Sequence, residues 1–325
     1  MKKLIAFVLS VLVLAGAFSF TAFSALAEDS TIRIAGLKGP TSMGLVKLME
    51  DSENGISQNT YEFTLAGSAD EVTPKLIRGE LDIAAVPANL ASVLYNNTSG
   101  AIKLLAVNTL GVLYILEKGD SVHSVADLKG QTIYATGKGS TPEYTLRTIL
   151  QENGIDPDRD VVIEFRSEPT EIVALLSQAD SGIAMLPQPY VTVAQGSVEG
   201  LHIVINLTDA WNELENGSML ITGVIAARTE FIEKHPEAVD SFLQEYREST
   251  DYALSNTAET AKLIEKYGIV KAVVAEKALP FCNLTYLAGE EMIAPLTGYL
   301  QTLLDQNPKA VGGKLPGADF FYIAS

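Results

Sequence analysis

Two short loops, one hundred residues apart, carry hydroxyl side chains at the start of a predicted helix. They are residues 39–42, Gly-Pro-Thr-Ser, and residues 139–142, Gly-Ser-Thr-Pro. A helix start offers unpaired backbone N–H groups and a partial positive charge, so it suits an anionic or strongly polar ligand group. Simple helix capping by Thr41 or Ser140 is the alternative explanation. Lys138 precedes the second loop as Lys38 precedes the first, and each can add charge.

A second pair of segments carries amide and aromatic side chains, again one hundred residues apart. Residues 87–89 read Pro-Ala-Asn, and residues 187–190 read Pro-Gln-Pro-Tyr. Asn89 and Gln188 can pair with a polar ligand edge, and Tyr190 can stack on a ring or donate a hydrogen bond. Helix capping by Asn89 and ordinary packing of Tyr190 remain open. Trp211, the single tryptophan, is a further candidate contact.

Catalytic and metal-binding patterns are absent from the sequence. His123, His202 and His235 lie in unrelated contexts, and no HExxH, G-x-S-x-G or G-x-x-x-x-G-K-[ST] motif occurs. The single cysteine, Cys282, excludes an internal disulfide and has no partners at metal spacing. No motif therefore points to a catalytic centre, a cofactor or a metal, and the chain is predicted not to be an enzyme.

An internal similarity explains why the candidate residues recur. Residues 31–90 match residues 131–190 in one register, at Ala35 with Ala135 and again at residues 83–87 with 183–187. Each copy alternates predicted strands and helices, which indicates an α/β fold with parallel sheets covered on both faces. In such sheets ligands bind beyond the carboxyl ends of the strands, where the candidate loops lie.

Two apolar segments are predicted to connect the copies. Residues 110–116 join copy one to copy two, and residues 219–227 lead from copy two into the C-terminal helices. If those helices pack on the first copy, both segments cross between two lobes. We expect a two-strand hinge, with Gly111 and Gly223 as flexible points.

The N-terminus has the layout of a secretory signal. Lys2 and Lys3 precede an uncharged run that ends in Ala-Leu-Ala at residues 25–27. Residues 1–27 are therefore predicted to be a signal peptide, with an uncleaved membrane anchor as the alternative. A lipid anchor is not expected, because Ala17 stands where a lipoprotein box requires cysteine.

The chain is strongly acidic. Its formal net charge is −17, and it becomes −19 once the two lysines leave with the signal. Such a surface repels nucleic acid and anionic membranes. The acidic residues are spread along the chain, so the charge chiefly indicates solubility. It says little about the ligand.

These patterns together resemble the nitrate/sulfonate/taurine-type solute-binding proteins of ABC importers, also called the NMT1/THI5-like group. The similarity covers essentially the whole predicted mature chain. It is carried by Leu-Asp-Ile-Ala-Ala-Val-Pro at 81–87, Asp-Leu-Lys-Gly at 127–130, Gly-Ser-Thr-Pro-Glu-Tyr at 139–144, Leu-Pro-Gln-Pro-Tyr at 186–190 and His-Pro-Glu-Ala-Val at 235–239.

The resemblance implies a type II periplasmic-binding-protein fold of two lobes, each with a mostly parallel sheet. Lobe one is then residues 28–112 and 224–325, and lobe two is residues 113–223. It also implies ligand contacts from the paired loops, at the positions that the internal similarity selects. The complete set of predicted ligand-binding residues is Pro40, Thr41, Ser42, Pro87, Ala88, Asn89, Lys138, Gly139, Ser140, Thr141, Gln188, Pro189, Tyr190 and Trp211.

The implied function is capture of a small molecule outside the cytoplasm for an ABC permease, by closure of the two lobes. The protein is expected to be an exported monomer that binds no nucleic acid. The helix starts suit a sulfonate or nitrate, but the matched loops contain no arginine to clamp an oxyanion. A heterocyclic vitamin precursor stacked on Tyr190 or Trp211 is the other expectation. An enzyme of this fold acting on a small heterocycle, or a ligand-sensing partner of a membrane receptor, remains an alternative.

Overall fold

The computed structural model describes residues 31–324, which form two β-sheets with helices packed on both faces. The predicted signal peptide lies outside these residues. The strands are β1 Ile32–Leu37, β2 Tyr61–Ala66, β3 Ile83–Pro87, β4 Ile102–Leu110, β5 Leu113–Lys118, β6 Thr132–Ala135, β7 Val162–Phe165, β8 Gly182–Pro187, β9 Leu201–Asn206, β10 Ile221–Arg228 and β11 Leu284–Ala288.

Helices follow most of these strands. They are α1 Pro40–Met43, α2 Val46–Glu53, α3 Ala69–Ile77, α4 Ala88–Asn97, α5 Thr141–Glu152, α6 Pro169–Gln178, α7 Tyr190–Ser197, α8 Leu207–Asn212, α9 Thr229–Lys234, α10 Pro236–Ser255, α11 Thr257–Lys266, α12 Ala272–Ala278 and α13 Ile293–Gln306. Within the described chain no helix is long and apolar enough to span a bilayer.

The two sheets repeat one arrangement. The first has the order β11–β4–β10–β3–β1–β2, and the second has the order β7–β6–β8–β5–β9. In each, the first strand of a copy lies between the second and the third and pairs with both in parallel. The alternating strand and helix order predicted for each copy is therefore confirmed, and the α/β class with it.

In each sheet four strands run in one direction, so the mostly parallel character predicted for the sheets is confirmed. β10 runs antiparallel to β3 and β4, and β5 runs antiparallel to β8 and β9. Each of these two strands begins directly after the chain has passed from the other sheet. The central parallel strand β3 is buried along its whole length, as expected for a strand covered on both faces.

The chain passes between the sheets twice. The single strand predicted over 110–116 is in fact two strands, because β4 ends in the first sheet and β5 begins in the second, with only Gly111 and Val112 between them. The return runs from α8 to β10. These passages lie side by side, since a Cβ added at Gly111 would be 2.1 Å from Thr208 Oγ1.

Gly111 and Gly223 differ from the flexible hinge points that the sequence predicted. Neither has a backbone conformation that favours glycine, and both are crowded by neighbours. A Cβ at Gly223 would lie 2.4 Å from Thr41 Cγ2. Both glycines are therefore required by close approach of other groups.

One apolar cluster joins the two sheets. It contains Val107 of the first sheet, Ile115 of the second, Leu146 of α5 and Tyr299 of α13, all essentially inaccessible to solvent. The C-terminal helix α13 packs against α5, so a helix from the end of the chain contacts the helix layer of the second sheet.

Candidate functional site

A cleft of about 840 Å³ lies where the carboxyl ends of the repeated strands of both sheets meet. Its walls come from the exits of β1, β2 and β3 on one side and of β6, β7 and β8 on the other. The segment that crosses between the sheets closes its base through Val112. This is the position at which open α/β sheets place ligands.

The structure brings eight of the fourteen predicted ligand-binding residues to this cleft. They are Pro40, Thr41, Pro87, Lys138, Gly139, Ser140, Gln188 and Tyr190. Lys38, which the sequence analysis left open, also lines it. The other six, Ser42, Ala88, Asn89, Thr141, Pro189 and Trp211, lie outside the cleft wall and are buried.

The start of α5 presents fewer free donors than its sequence suggests. The Gly139 N–H donates to Glu143 Oε2 at 2.6 Å, and the Ser140 hydroxyl donates to the Gly137 carbonyl at 2.8 Å. Glu143 therefore caps its own helix, as acidic residues in a first turn often do. Gly137 and Gly139 both have positive φ, 75° and 74°, so the turn depends on glycine at both positions.

The exit of β8 contributes an amide and an aromatic ring. Gln188 Oε1 accepts a hydrogen bond from Thr192 Oγ1 at 3.0 Å, and its amide nitrogen has no protein partner in the described part of the chain. Burial raises the pKa of Tyr190, and the nearby charge of Glu168 raises it further. Gln188 can therefore donate to a ligand, and Tyr190 remains a neutral phenol.

Trp211 is a core residue. Its side chain is fully buried, with the ring centroid 5.6 Å from that of Tyr299, and its indole N–H donates to Ser218 Oγ at 2.9 Å. The short helix α8 turns the indole under α13 and away from the cleft. A packed aromatic side chain with a satisfied N–H is the ordinary outcome for a buried tryptophan.

Asn89 is also buried, and its hydrogen bonds are made within the protein. Its Nδ2 donates to the Ala310 carbonyl at 2.9 Å and to the Gly139 carbonyl at 3.5 Å. Its Oδ1 accepts from the Thr141 hydroxyl at 3.3 Å. The two predicted contacts Asn89 and Thr141 therefore bond to one another.

The loops that follow β2 and β7 were not among the predicted ligand-binding segments. Residues 65–71 and 165–169 line opposite sides of the cleft, and they are again related by the hundred-residue spacing. The matched positions Glu71 and Glu171, each three residues after the N-cap of its helix, were the available signal. The predicted residues other than Trp211 lie at the first and third strand exits, and none lies at the second exits.

Arg166 is the most consequential residue in these loops, because it places a guanidinium in the cleft wall. Its Nη2 donates to Glu164 Oε2 at 3.0 Å, its Nη1 donates to the Phe165 carbonyl at 3.2 Å, and the group lies 5.4 Å from the Tyr134 ring centroid. These contacts orient a group that suits carboxylate, sulfonate or phosphate oxygens.

The charges that line the cleft balance. The cations are Lys38, Lys138 and Arg166, and the carboxylates are Asp70, Glu71 and Glu168. All three carboxylates belong to the second strand exits, whereas two of the three cations adjoin the first strand exits. A ligand that carries both an acidic group and a hydrogen-bond donor or cation matches this distribution better than a simple anion.

Part of the remaining wall is apolar. Leu37, Leu65 and Leu90 line the first sheet's side, and Phe165 and Tyr190 line the second sheet's side. Lys138 Nζ lies 5.9 Å from the Phe165 ring centroid. In residues 31–324 no group of three or more His, Cys, Asp or Glu side chains could hold a metal ion.

Comparisons with known proteins converge on one group. The family profile described as NMT1/THI5 like matches residues 100–260. The taurine-binding periplasmic protein of Escherichia coli (strain K12) is 25% identical over 294 residues, which are 88% of this chain and 86% of that protein.

Solved structures agree with the fold. The crystal structure of an ABC transporter from Parabacteroides distasonis has a TM-score of 0.73 and 25% identity, and covers 91% of this chain and 99% of its own. The periplasmic aliphatic sulphonate binding protein of Escherichia coli has a TM-score of 0.71 and 17% identity, and covers 91% of this chain and 92% of its own. The fold is that of the periplasmic binding proteins.

Proposed function

The chain carries an NMT1/THI5-like domain in a periplasmic-binding-protein fold, and from this premise we propose that it is the solute-binding component of an ABC importer. The observation that carries the proposal is the cleft of about 840 Å³ between the strand exits of two sheets. Two passages of the chain connect those sheets. This arrangement allows a ligand to be enclosed by closure of two lobes.

The two sheets support a division into lobes. Strands of the first sheet come from residues 32–110 and 221–288, and strands of the second come from residues 113–206. Lobe one, residues 28–112 and 224–325, then contains all of the first sheet except residues 221–223 at the start of β10. Lobe two contains the second sheet. The hinge is formed by residues 110–113 and 207–220. Closure is favoured only if the ligand contacts both lobes.

The ligand is a small molecule with an acidic group. Arg166 and the lysines at the first strand exits receive that group, and the amide of Gln188 donates to a polar edge. The volume and the apolar wall leave room beyond a nitrate or a small sulfonate, and Phe165 and Tyr190 suit the ring of a heterocyclic vitamin precursor. Binding in the micromolar range corresponds to about −8 kcal/mol.

The proposed setting is outside the cytoplasm. Residues 1–27 serve as a cleaved signal peptide without a lipid anchor, and the mature protein delivers its ligand to a membrane permease as a monomer. The taurine-binding relative is named as periplasmic, which supports this location. Ligand capture without chemical conversion follows from the same role.

Three measurements test the proposal. Mass spectrometry of small molecules released from the purified mature protein should detect one bound compound, and a thermal-shift panel of sulfonates, nitrate and heterocycles should show stabilisation by its chemical class. Arg166→Ala should weaken binding at least tenfold, because a guanidinium contact to an anion is lost. Arg159→Ala, on the surface outside the cleft, is the matched control.

Two outcomes contradict the proposal. Conversion of the bound compound into another during incubation would identify an enzyme. Equal ligand affinity of the Arg166 and Arg159 variants would show that the Arg166 guanidinium does not contact the ligand.

A further inference from the structure

Asn89 joins three parts of the chain at the inner end of the cleft. It lies at the start of α4, behind the exit of β3, and is fully buried. Its amide contacts the Gly139 carbonyl and the Thr141 hydroxyl of the loop at residues 137–141, which follows β6 and is called the ligand loop. It also contacts the Ala310 carbonyl of the C-terminal turn Pro308–Val311. A buried amide with three protein contacts is fixed in orientation.

The strand order sets how far each exit lies from the hinge. Counting outward from the passages, the sheets run β10–β3–β1–β2 and β5–β8–β6–β7. Neighbouring strands are about 4.8 Å apart, so the third, first and second strand exits lie roughly one, two and three spacings from the hinge. A rigid rotation therefore moves the second strand exits about three times as far as the third.

The helix α5 is also held from the side of α13. The apolar cluster that joins the sheets includes Leu146, Ile149 and Leu150 of α5 together with Tyr299 and Leu303 of α13. At the far end, Gln306 Nε2 donates to Glu152 Oε1 at 2.7 Å. The loop that begins α5 is thus fixed by packing along the helix and by Asn89 at its first turn.

We propose that Asn89 is a positioning residue that fixes the ligand loop 137–141 against the first sheet while the outer loops, 67–71 and 165–169, open and close. The inner end of the cleft is then a preorganised wall, and the second strand exits are the moving part. This inference rests on the proposed function. Its test needs no ligand, so its failure is distinct from failure of the import role.

Distances between paired spin labels test the proposal on the full mature protein. One pair, at Lys38→Cys and Lys138→Cys, reports the inner loops, and a second pair, at Ser68→Cys and Ser167→Cys, reports the outer loops. The native Cys282 is buried, and burial raises the pKa of its thiol to about 12, so it remains unlabelled. We expect the distance distribution of the outer pair to be more than about one and a half times as wide as that of the inner pair, because rigid rotation alone gives a ratio of three to two and fixing of the inner loop raises it.

Variants then separate positioning from general stability. Asn89→Ala should at least double the width of the inner distribution. Thr141→Val should also broaden the inner distribution, because the substitution removes the hydroxyl at nearly constant side-chain shape. Thr141→Ser retains the hydroxyl, so the inner distribution should stay narrow. Asn96→Ala is the matched control, since Asn96 lies on the same helix and donates to Val311 and Lys314 of the C-terminal segment without touching the ligand loop.

The proposal is overturned if Asn89→Ala and Thr141→Val both leave the inner distribution unchanged. It is also overturned if Asn96→Ala broadens that distribution equally, because the effect then belongs to the C-terminal segment. If Asn89→Ala does not fold, the contrast between Thr141→Val and Thr141→Ser decides the result. If the two label pairs have distance distributions of equal width in the protein with Asn89 and Thr141 unchanged, the outer loops are not the moving part.

Discussion

The absence of a side chain at Gly111 allows the two passages between the sheets to approach each other closely. A Cβ there would lie 2.1 Å from Thr208 Oγ1 and 3.0 Å from Leu220 Cδ2. Both neighbours belong to the return passage, so a larger residue would separate the passages by displacing one of them. The glycine serves close packing, and the backbone at this position is open to other residues.

Gly111→Ala should therefore lower the free energy of unfolding by about 1–3 kcal/mol, the usual cost of overpacking a tight site. Chemical denaturation measures the change. Gly196→Ala is the control, because a Cβ at Gly196 meets nothing within 4 Å and alanine suits the interior of α7. An equal loss at both positions would contradict the close-packing explanation.

Asp82 is the clearest electrostatic contribution to stability. It is buried at the entry to β3 and receives hydrogen bonds from Arg33 Nη2 at 2.7 Å and from Arg228 Nη2 at 2.9 Å. Burial alone would raise its pKa, but the hydrogen bonds from Arg33 and Arg228 hold the pKa below the ordinary value of 3.8. A carboxyl whose pKa is lowered on folding stabilises the protein above its unfolded pKa and loses that effect as the pH falls.

Asp82→Ala should lower the free energy of unfolding by roughly 3 kcal/mol at neutral pH, because two arginines lose their partner. The difference from the unaltered protein should shrink as the pH falls below about 4, where the carboxyl of the unfolded chain is protonated. Urea denaturation between pH 3 and pH 7 measures it. A difference that stays constant over this range would exclude the ionised carboxylate as the cause.

The sequence predicted which segments come together in the structure, whereas it did not predict the partners of individual side chains. The structure places residues 40, 87, 139 and 188, from the segments that the hundred-residue spacing relates, in the wall of one cleft. The sequence could not show that Asn89 and Thr141 bond to each other, because that contact depends on how the two sheets are placed. Nor could it show that the Trp211 indole faces α13, since a six-residue helix gives too little periodicity to fix a buried face.

Elements were predictable where the pattern repeats. Strands and helices of both copies follow alternating hydrophobicity and glycine or proline boundaries, so their order was correct. β11 and the break between β4 and β5 were not predicted, because an apolar run does not reveal the sheet to which it belongs.

At the element scale, the loops after β2 and β7 bring like charges together. A Cβ added at Gly67 would lie 2.7 Å from Glu168 Oε1 and 3.4 Å from Glu71 Oε1, so the two oxygens are no farther apart than the sum of these distances. Glu71 is partly stabilised by the N–H groups of Gly67 and Ser68. Closure of the outer loops therefore works against a repulsion.

Glu168→Gln should tighten binding of the compound recovered from the protein by roughly twofold to threefold at low salt, since one charge of the repelling pair is removed. The gain should vanish at about 1 M salt, where charges are screened over a few ångströms. Titration calorimetry measures both constants, with Glu199→Gln, outside the cleft, as the control. Weaker binding of Glu168→Gln at low salt would instead place the carboxylate in direct contact with a donor on the ligand.

At the scale of the whole molecule, the two sheets differ in how their strands are drawn from the chain. All strands of the second sheet lie in one continuous stretch, residues 113–206. The first sheet needs β10 at its centre, between β3 and β4, and β11 at its edge, so its pairing spans residues 32–288. The shared apolar cluster then couples the finished sheets into one structure.

This difference has a consequence for the order in which the newly made chain acquires structure. Contacts that are close in sequence form first, because less loop-closure entropy is lost. We expect amides of β5, β6 and β8 to become protected from hydrogen exchange before those of β10 and β4 in pulse-labelling during refolding. Simultaneous protection of both sheets would show that folding is a single event. If protection is sequential, the edge of the first sheet remains unpaired until the last third of the chain has been made. During that interval a chaperone could cover the exposed strand.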